Sequence, residues 1–146
     1  MDSSYETDFI AWTAHQTKLL HQHRAALEAW GIDVTNLAEE VGCLGRSEHR
    51  ELEDRLLVLL VHLLKWQYQP RRQTHSSHVT IREQRRRLER LLTRNPSLSP
   101  ILDTAIKEVY QWARDRTVAQ TGLREETFAA DYSWPPAQVL DVTFLP

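Results

Sequence analysis

The chain has 146 residues, of which 41% are hydrophobic and 26% are charged, and its net charge is −2. These values fit a single globular domain over residues 1–146 with a real core, and they exclude an overall basic protein drawn to nucleic acid or to anionic membranes. Only four glycines are present, which excludes a β-rich fold with many tight turns.

The first half of the chain predicts two helical segments. Apolar residues at helical spacing predict a helix over residues 5–29. Asp33 is a suitable cap for the next helix. Gly42 and Gly45 weaken or break that helix, so either Ser47 caps a new helix or the chain continues as a single one.

A central helix is predicted over residues 47–69, and Pro70 ends it. At about 100° per residue, its apolar side chains from Leu56 to Trp66 point almost all the way round the axis. Such a helix is surrounded by packing partners rather than lying on a surface.

Two more long helices are predicted in the second half of the chain. A polar loop over residues 71–78 precedes a helix over residues 79–94. In the following "NPSLSP" stretch, Ser99 is the expected cap and Pro100 the expected first residue of the last long helix. Gly122 is expected to end that helix in a left-handed conformation.

The C-terminal tail over residues 123–146 is too apolar to be solvated. Its "YSWPPAQVLDVTFLP" stretch predicts packing against the helical core of residues 5–122, with a short helix near Pro136–Leu140. The predicted fold class is therefore all-α: a bundle of four to five helices with an irregular C-terminal tail packed on it. Four tryptophans are expected to anchor the core and one to pin the tail: Trp12, Trp30, Trp66, Trp112, and Trp134 in the tail.

Other sequence features indicate the compartment. Cys43 is the only cysteine, so no internal disulfide can form, which is typical of a reducing compartment. The start, "MDSSYETDF", lacks the basic and apolar parts of a signal peptide. The longest apolar run covers residues 56–61, far short of the ~20 residues that span a membrane. We expect a cytoplasmic protein without a membrane segment or a cofactor.

Three stretches resemble a known family. "NLAEEVGCLGRSEHRELEDRLLVLLVHLLKWQYQP", "TIREQRRRLERLL" and a "TGL…F" tail are similar to the bacterial family called domain of unknown function 29. The resemblance runs from about Tyr5 to Phe144. It implies a compact, all-helical protein and implies no activity.

The polar residues of the central helix fall on one stripe. Glu51, Arg55, His62 and Lys65 lie within roughly 80° of one another on an ideal helix, and Glu40 joins them if the helix is unbroken. Such a stripe can line a cleft. It is more often the solvated seam of a buried helix, and Glu51 with Arg55 is an ordinary i, i+4 pair.

Arg55 and His62 also match the R-x(4–6)-H spacing of HEPN-type ribonucleases, which are helical bundles too. That resemblance implies an arginine that stabilises phosphate charge and a histidine that acts as general acid or base. The polar residue that usually follows the arginine is replaced by Leu56. We expect no metal site at His62, because the Glu-x-x-His spacing of bundle metal sites is absent from the chain.

A strongly basic segment covers residues 71–94. It holds eight arginines and two glutamates, a local charge of +6, so the rest of the chain carries −8. This segment either tracks phosphates or is a solvated face that pairs with acidic faces of neighbouring helices or of a second subunit. It lacks interleaved aromatic residues for base stacking. The candidate binding residues are Arg71, Arg72, Arg82, Arg86, Arg87 and Arg90, with Arg85 at the edge of the face.

The sequence leaves two functional hypotheses. The first is a non-enzymatic binding module, a homodimer that contacts nucleic acid or a protein partner through the basic helix. The second is a HEPN-type ribonuclease that uses Arg55 and His62.

Overall fold

The computed structural model describes residues 4–146, and all regular structure in that range is helical. The first three residues of the acidic start lie outside the described residues. The predicted all-α bundle with an irregular C-terminal tail is confirmed. The α-helices of the described range are α1 (Ser4–Thr7), α2 (Phe9–Gln22), α3 (Arg24–Ala29), α4 (Val34–Tyr68), α5 (His75–Arg94), α6 (Leu102–Thr121) and α7 (Pro136–Leu140). Short 3-10 helices cover Pro70–Arg72, Pro96–Ile101 and Glu125–Thr127.

The chain divides into two compact units. The first unit combines the residues up to Glu51 with Leu91–Ser99, and the second combines Leu52–Arg90 with Pro100–Pro146.

The helix predicted over residues 5–29 is divided into α1, α2 and α3: Asp8 separates α1 from α2, and His23 lies between α2 and α3. Asp8 has an extended backbone, and its carboxylate accepts the amide of Ala11, which caps the first turn of α2. The same carboxylate accepts the backbone amide and the hydroxyl of Ser97. One acidic side chain therefore starts α2 and holds the segment after α5 within the first unit.

A buried asparagine joins three segments of the first unit through hydrogen bonds. Asn95 is fully buried, and its Oδ1 accepts the amide of Ile10 at 2.9 Å. Its Nδ2 donates to Glu48 Oε2 at 2.8 Å and to the carbonyl of Leu91 at 3.1 Å. Since a buried amide without partners costs free energy, these contacts fix the register of α2 against α4 and α5.

The helix α4 continues through both of its glycines, which settles the choice that the sequence left open. A Cβ added at Gly45 would collide with Oγ1 of Thr13 on α2. Gly45 is buried, whereas Gly42 leaves more room, since its nearest neighbour is the flexible end of Arg46. Gly45 is therefore a close-approach position that lets α2 lie against α4, and the packing of this crossing offsets the low helix propensity of glycine.

In the second unit, the leucines of α4 form the core as predicted. Each fully buried side chain of this kind contributes about 1.5–3 kcal/mol. Leu57 and Val58 are half-buried, so α4 is covered on most of its circumference here. The buried core residues of this unit include Leu52, Leu56, Leu59, Leu60, Leu63, Leu64, Ile81, Leu88, Ile106 and Val109.

The tail packs on the second unit, as its composition predicted. Gly122 ends α6 with φ 70°, a left-handed conformation that glycine adopts without strain. The tail then buries Phe128 and Val139. The hydroxyl of Tyr110 donates to the carbonyl of Ala129 at 2.6 Å. The short helix predicted near Pro136–Leu140 is α7.

Three local predictions are wrong. Ser99 does not cap α6, because the two prolines of "NPSLSP" favour a 3-10 helix that runs to Ile101. The loop predicted over residues 71–78 is shorter, since α5 already begins at His75. Trp30 and Trp112 are not core anchors: they are 87% and 52% exposed.

Candidate nucleic-acid interface

The helix α5 separates an apolar face from a basic one. Ile81 and Leu88 are fully buried, and Gln84 is buried between them. On the opposite side, Arg82, Arg86 and Arg90 are exposed. They follow one another at i, i+4 and i+8, so they form a ridge about 12 Å long on the helix surface. We call these three residues the arginine ridge.

The arginine ridge carries charge that no carboxylate of residues 4–146 neutralises. Within residues 4–146, no carboxylate lies within 4.0 Å of the guanidinium nitrogens of Arg82, Arg86 or Arg90. Like charges at i, i+4 destabilise a helix by about 0.2–0.5 kcal/mol per pair. Repulsion within the ridge therefore slightly destabilises the isolated protein, and a bound anion would reduce that repulsion.

The other exposed arginines of the segment are placed differently. Arg87 forms an ion pair with Glu83 at 2.8 Å. Because this ion pair is exposed, it contributes little to the stability of the protein. Arg71 and Arg72 lie in the 3-10 helix that precedes α5, and both are exposed. These two extend the basic surface towards the start of α5.

Arg85 does not belong to the basic surface, because it is only 2% exposed. Its Nε donates to the carbonyl of Val139 at 2.8 Å, and its Nη2 donates to the carbonyl of Phe144 at 2.7 Å. The sequence placed Arg85 at the edge of the basic face and counted it among the binding residues. Its real partners are carbonyls of the tail, so it holds the tail on α5.

Burial also sets the electrostatics of Arg85. The buried Nη1 has no hydrogen-bond partner among the described residues. Desolvation lowers the pKa of the guanidinium, and the negative charge of Asp141 partly opposes that shift. The sequence contains an indication that Arg85 is buried. Arg85 follows Ile81 by four residues and precedes Leu88 by three, which puts it on the apolar side of the helix.

The predicted polar stripe is distributed over both units. Glu40 and Glu51 belong to the first unit, where Glu40 is exposed and Glu51 is half-buried. Arg55, His62 and Lys65 belong to the second unit and are all half-buried. The Nζ of Lys65 donates to Oε1 of Gln120 on α6.

The HEPN-like pair lies on one regular helix. Arg55 and His62 are seven residues apart on α4, which puts them on the same side and about 10.5 Å apart along the axis. Burial, and secondly the positive charge of Lys65, lower the pKa of His62. A lowered pKa favours the neutral imidazole, which is the form that acts as a general base.

In the described range, no three side chains of His, Cys, Asp or Glu are grouped so that they could hold a metal ion. No helix of residues 4–146 has the length and hydropathy to cross a membrane.

Comparison with known proteins gives one result. Neither the curated proteins nor the solved structures contain a match to this chain. The family model described as "Domain of unknown function DUF29" matches residues 4–145. The chain therefore belongs to this family, as the resemblance in its sequence indicated.

Proposed function

We propose that this protein is a non-enzymatic, cytoplasmic binding module that contacts the phosphate backbone of a nucleic acid through α5, and that it works as a homodimer. The observation that carries the proposal is the arginine ridge: three exposed arginines in line, without a carboxylate partner in the described part of the chain. Arg71, Arg72 and Arg87 are the supporting contacts.

The chemistry of the ridge favours phosphates over bases. Guanidinium groups bind phosphate oxygens through paired hydrogen bonds. The exposed face of α5 carries no Phe, Tyr or Trp that could stack on a base, so binding is expected to tolerate many sequences. A homodimer would present two ridges to one strand, which raises the apparent affinity without any new type of contact.

The salt dependence of binding allows the expected loss of affinity to be calculated. Each phosphate that is neutralised adds about 0.7 (single strand) to 0.9 (duplex) to the slope of log K against log salt. Three ridge contacts therefore account for a loss of roughly 20- to 40-fold in affinity between 50 and 200 mM salt. Removing the ridge should remove that part of the slope.

The experiment measures fluorescence anisotropy of a labelled RNA and a labelled DNA duplex over a salt series. The test variant is R82Q/R86Q/R90Q. The matched control is R46Q/R116Q/R124Q, which removes the same charge from exposed arginines elsewhere. We expect the test variant to lose affinity and salt slope while the control keeps both. Equal losses in both variants, or no binding by the native chain at 50 mM salt, would overturn the proposal.

A ribonuclease activity is the second candidate, favoured by Arg55 and His62 on one side of α4 and by the lowered pKa of His62. The arginine would stabilise phosphate charge while neutral His62 takes the proton of the attacking hydroxyl. The test is cleavage of labelled RNA by the native chain, H62A and the exposed-histidine control H23A. Activity lost only in H62A supports the enzyme. Intact RNA across pH 5–9, with and without Mg²⁺, refutes it.

A further inference from the structure

An exposed apolar surface lies where α3 ends and α4 begins. Trp30 is 87% exposed, and Leu37 and Leu44 are 45% and 49% exposed. Ile32 is exposed as well, and all four residues belong to the first unit. We call these four residues the Trp30 patch.

Helix geometry puts the leucines of the patch in line. Leu37 and Leu44 are seven residues apart on α4, so they share a side of the helix and are about 10.5 Å apart along its axis. Val41, half-buried, falls between them. Trp30 and Ile32 belong to the turn that leads into α4, immediately before the cap residue Asp33. Exposed or half-buried apolar residues therefore occur both in this turn and along one side of the first three turns of α4.

The size of the patch matches the apolar part of a protein interface. Aromatic side chains have about 150–250 Å² of surface and aliphatic ones somewhat less, so the exposed fractions correspond to roughly 400 Å². A standard interface buries about 800 Å² on each partner, of which a little more than half is apolar. One copy of the patch thus supplies nearly all the apolar area that one side of such an interface needs.

We propose that the Trp30 patch is the contact surface between two copies of this chain, related by a two-fold axis. In such an interface the same surface is used by both subunits, so one patch per chain is sufficient and the assembly closes as a dimer. A nearly fully exposed tryptophan is also the residue type that most often dominates binding energy at an interface. This proposal locates the contact surface of the homodimer proposed above. Dimerisation through this surface does not depend on binding to nucleic acid.

Glu40 gives this interface a characteristic salt response. Glu40 is exposed, and its position along the axis of α4 lies between those of Leu37 and Leu44. Residues at the centre of a two-fold interface face their own copies, so the two Glu40 carboxylates repel each other across the axis. Added salt screens this repulsion. Self-association should therefore strengthen with salt, whereas binding of nucleic acid weakens.

The test is the mass of the full chain by sedimentation velocity at concentrations up to about 100 µM. We expect a dimer of about 34 kDa, twice the 17.1 kDa of one chain. W30S and L37S should shift the chain to monomer, while the control W112S removes another exposed tryptophan and should leave the dimer intact. E40Q should tighten the dimer by about two- to five-fold.

Two outcomes would overturn the inference. One is a native chain that stays monomeric over the whole concentration range. The other is a dimer that W30S and W112S weaken equally, since that would place the contact elsewhere. Both outcomes are independent of the anisotropy measurement, so a chain that binds RNA as a monomer refutes the patch and leaves the arginine ridge standing. Since the four substituted side chains, Trp30, Leu37, Glu40 and Trp112, are all exposed, circular dichroism should show unchanged helix content in each variant.

Discussion

Replacing Arg85 by methionine should destabilise the protein and loosen its tail. Methionine has a similar length and fills much of the same space, but it cannot donate a hydrogen bond. The substitution therefore leaves the carbonyls of Val139 and Phe144 without the donors that they have at 2.8 and 2.7 Å. Since both carbonyls lie in the tail, the loss is concentrated there.

The expected size follows from two opposing terms. A hydrogen bond from a charged donor contributes about 1.5–3 kcal/mol, and Arg85 makes two of them to the tail. Methionine avoids the cost of burying the guanidinium, which offsets part of this loss. We expect the free energy of unfolding to fall by about 2–4 kcal/mol. In urea unfolding this lowers the midpoint by about 1–2 M.

The neighbouring Arg86→Met variant is the control, because Arg86 is exposed on the same helix. It should change the free energy of unfolding by no more than about 0.5 kcal/mol. Hydrogen exchange should also show faster exchange of the tail amides in Arg85→Met alone. A urea midpoint for Arg85→Met that equals that of Arg86→Met would refute the assignment of Arg85 as the residue that holds the tail.

Three other predictions concern single residues. Gly45→Ala should cost about 1–3 kcal/mol through its collision with Thr13; urea unfolding should show partial rescue by Thr13→Ala, and equal costs in both backgrounds would disprove the contact. Asn95→Ala should cost about 2–4 kcal/mol by leaving buried groups unpaired, and a thermal scan that matches the native chain would contradict this. The folded pKa of His62 lies below its ordinary value of 6.5, so on acidification the unfolded chain binds a proton before the folded chain does. The free energy of unfolding should therefore fall as the pH drops below about 6.5. NMR titration should show a higher His62 pKa in Lys65→Gln, and an unchanged pKa would rule out the effect of Lys65.

The sequence predicted helix ends most reliably where the local residues allow only one backbone conformation. Gly122 ends α6 because only glycine adopts its left-handed conformation without strain. Pro70 follows the end of α4, and α7 falls at Pro136–Leu140 as expected. In contrast, the carboxylate of Asp8 also accepts the backbone amide of Ser97, which is 89 residues away in the chain. No local pattern contains that contact.

The candidate site divides in the same way. Helical periodicity alone put Arg82, Arg86 and Arg90 on one face, since exposed faces follow from spacing and charge. Periodicity puts Arg85 four residues after Ile81, towards the apolar side, but its full burial depends on where the tail returns to α5. Composition likewise suggested that four tryptophans anchor the core, although Trp30 and Trp112 are exposed.

The sequence by itself determined that this protein is all-α, where several of its helices end, and which helix is basic, because these properties depend on spacing and on backbone conformations within a few residues. Only the tertiary structure decided that α4 runs through Gly45, that Arg85 binds the tail, and that Trp30 is exposed. Each of these depends on contacts between segments far apart in the chain, and burial at such a contact can outweigh the local preference of a residue.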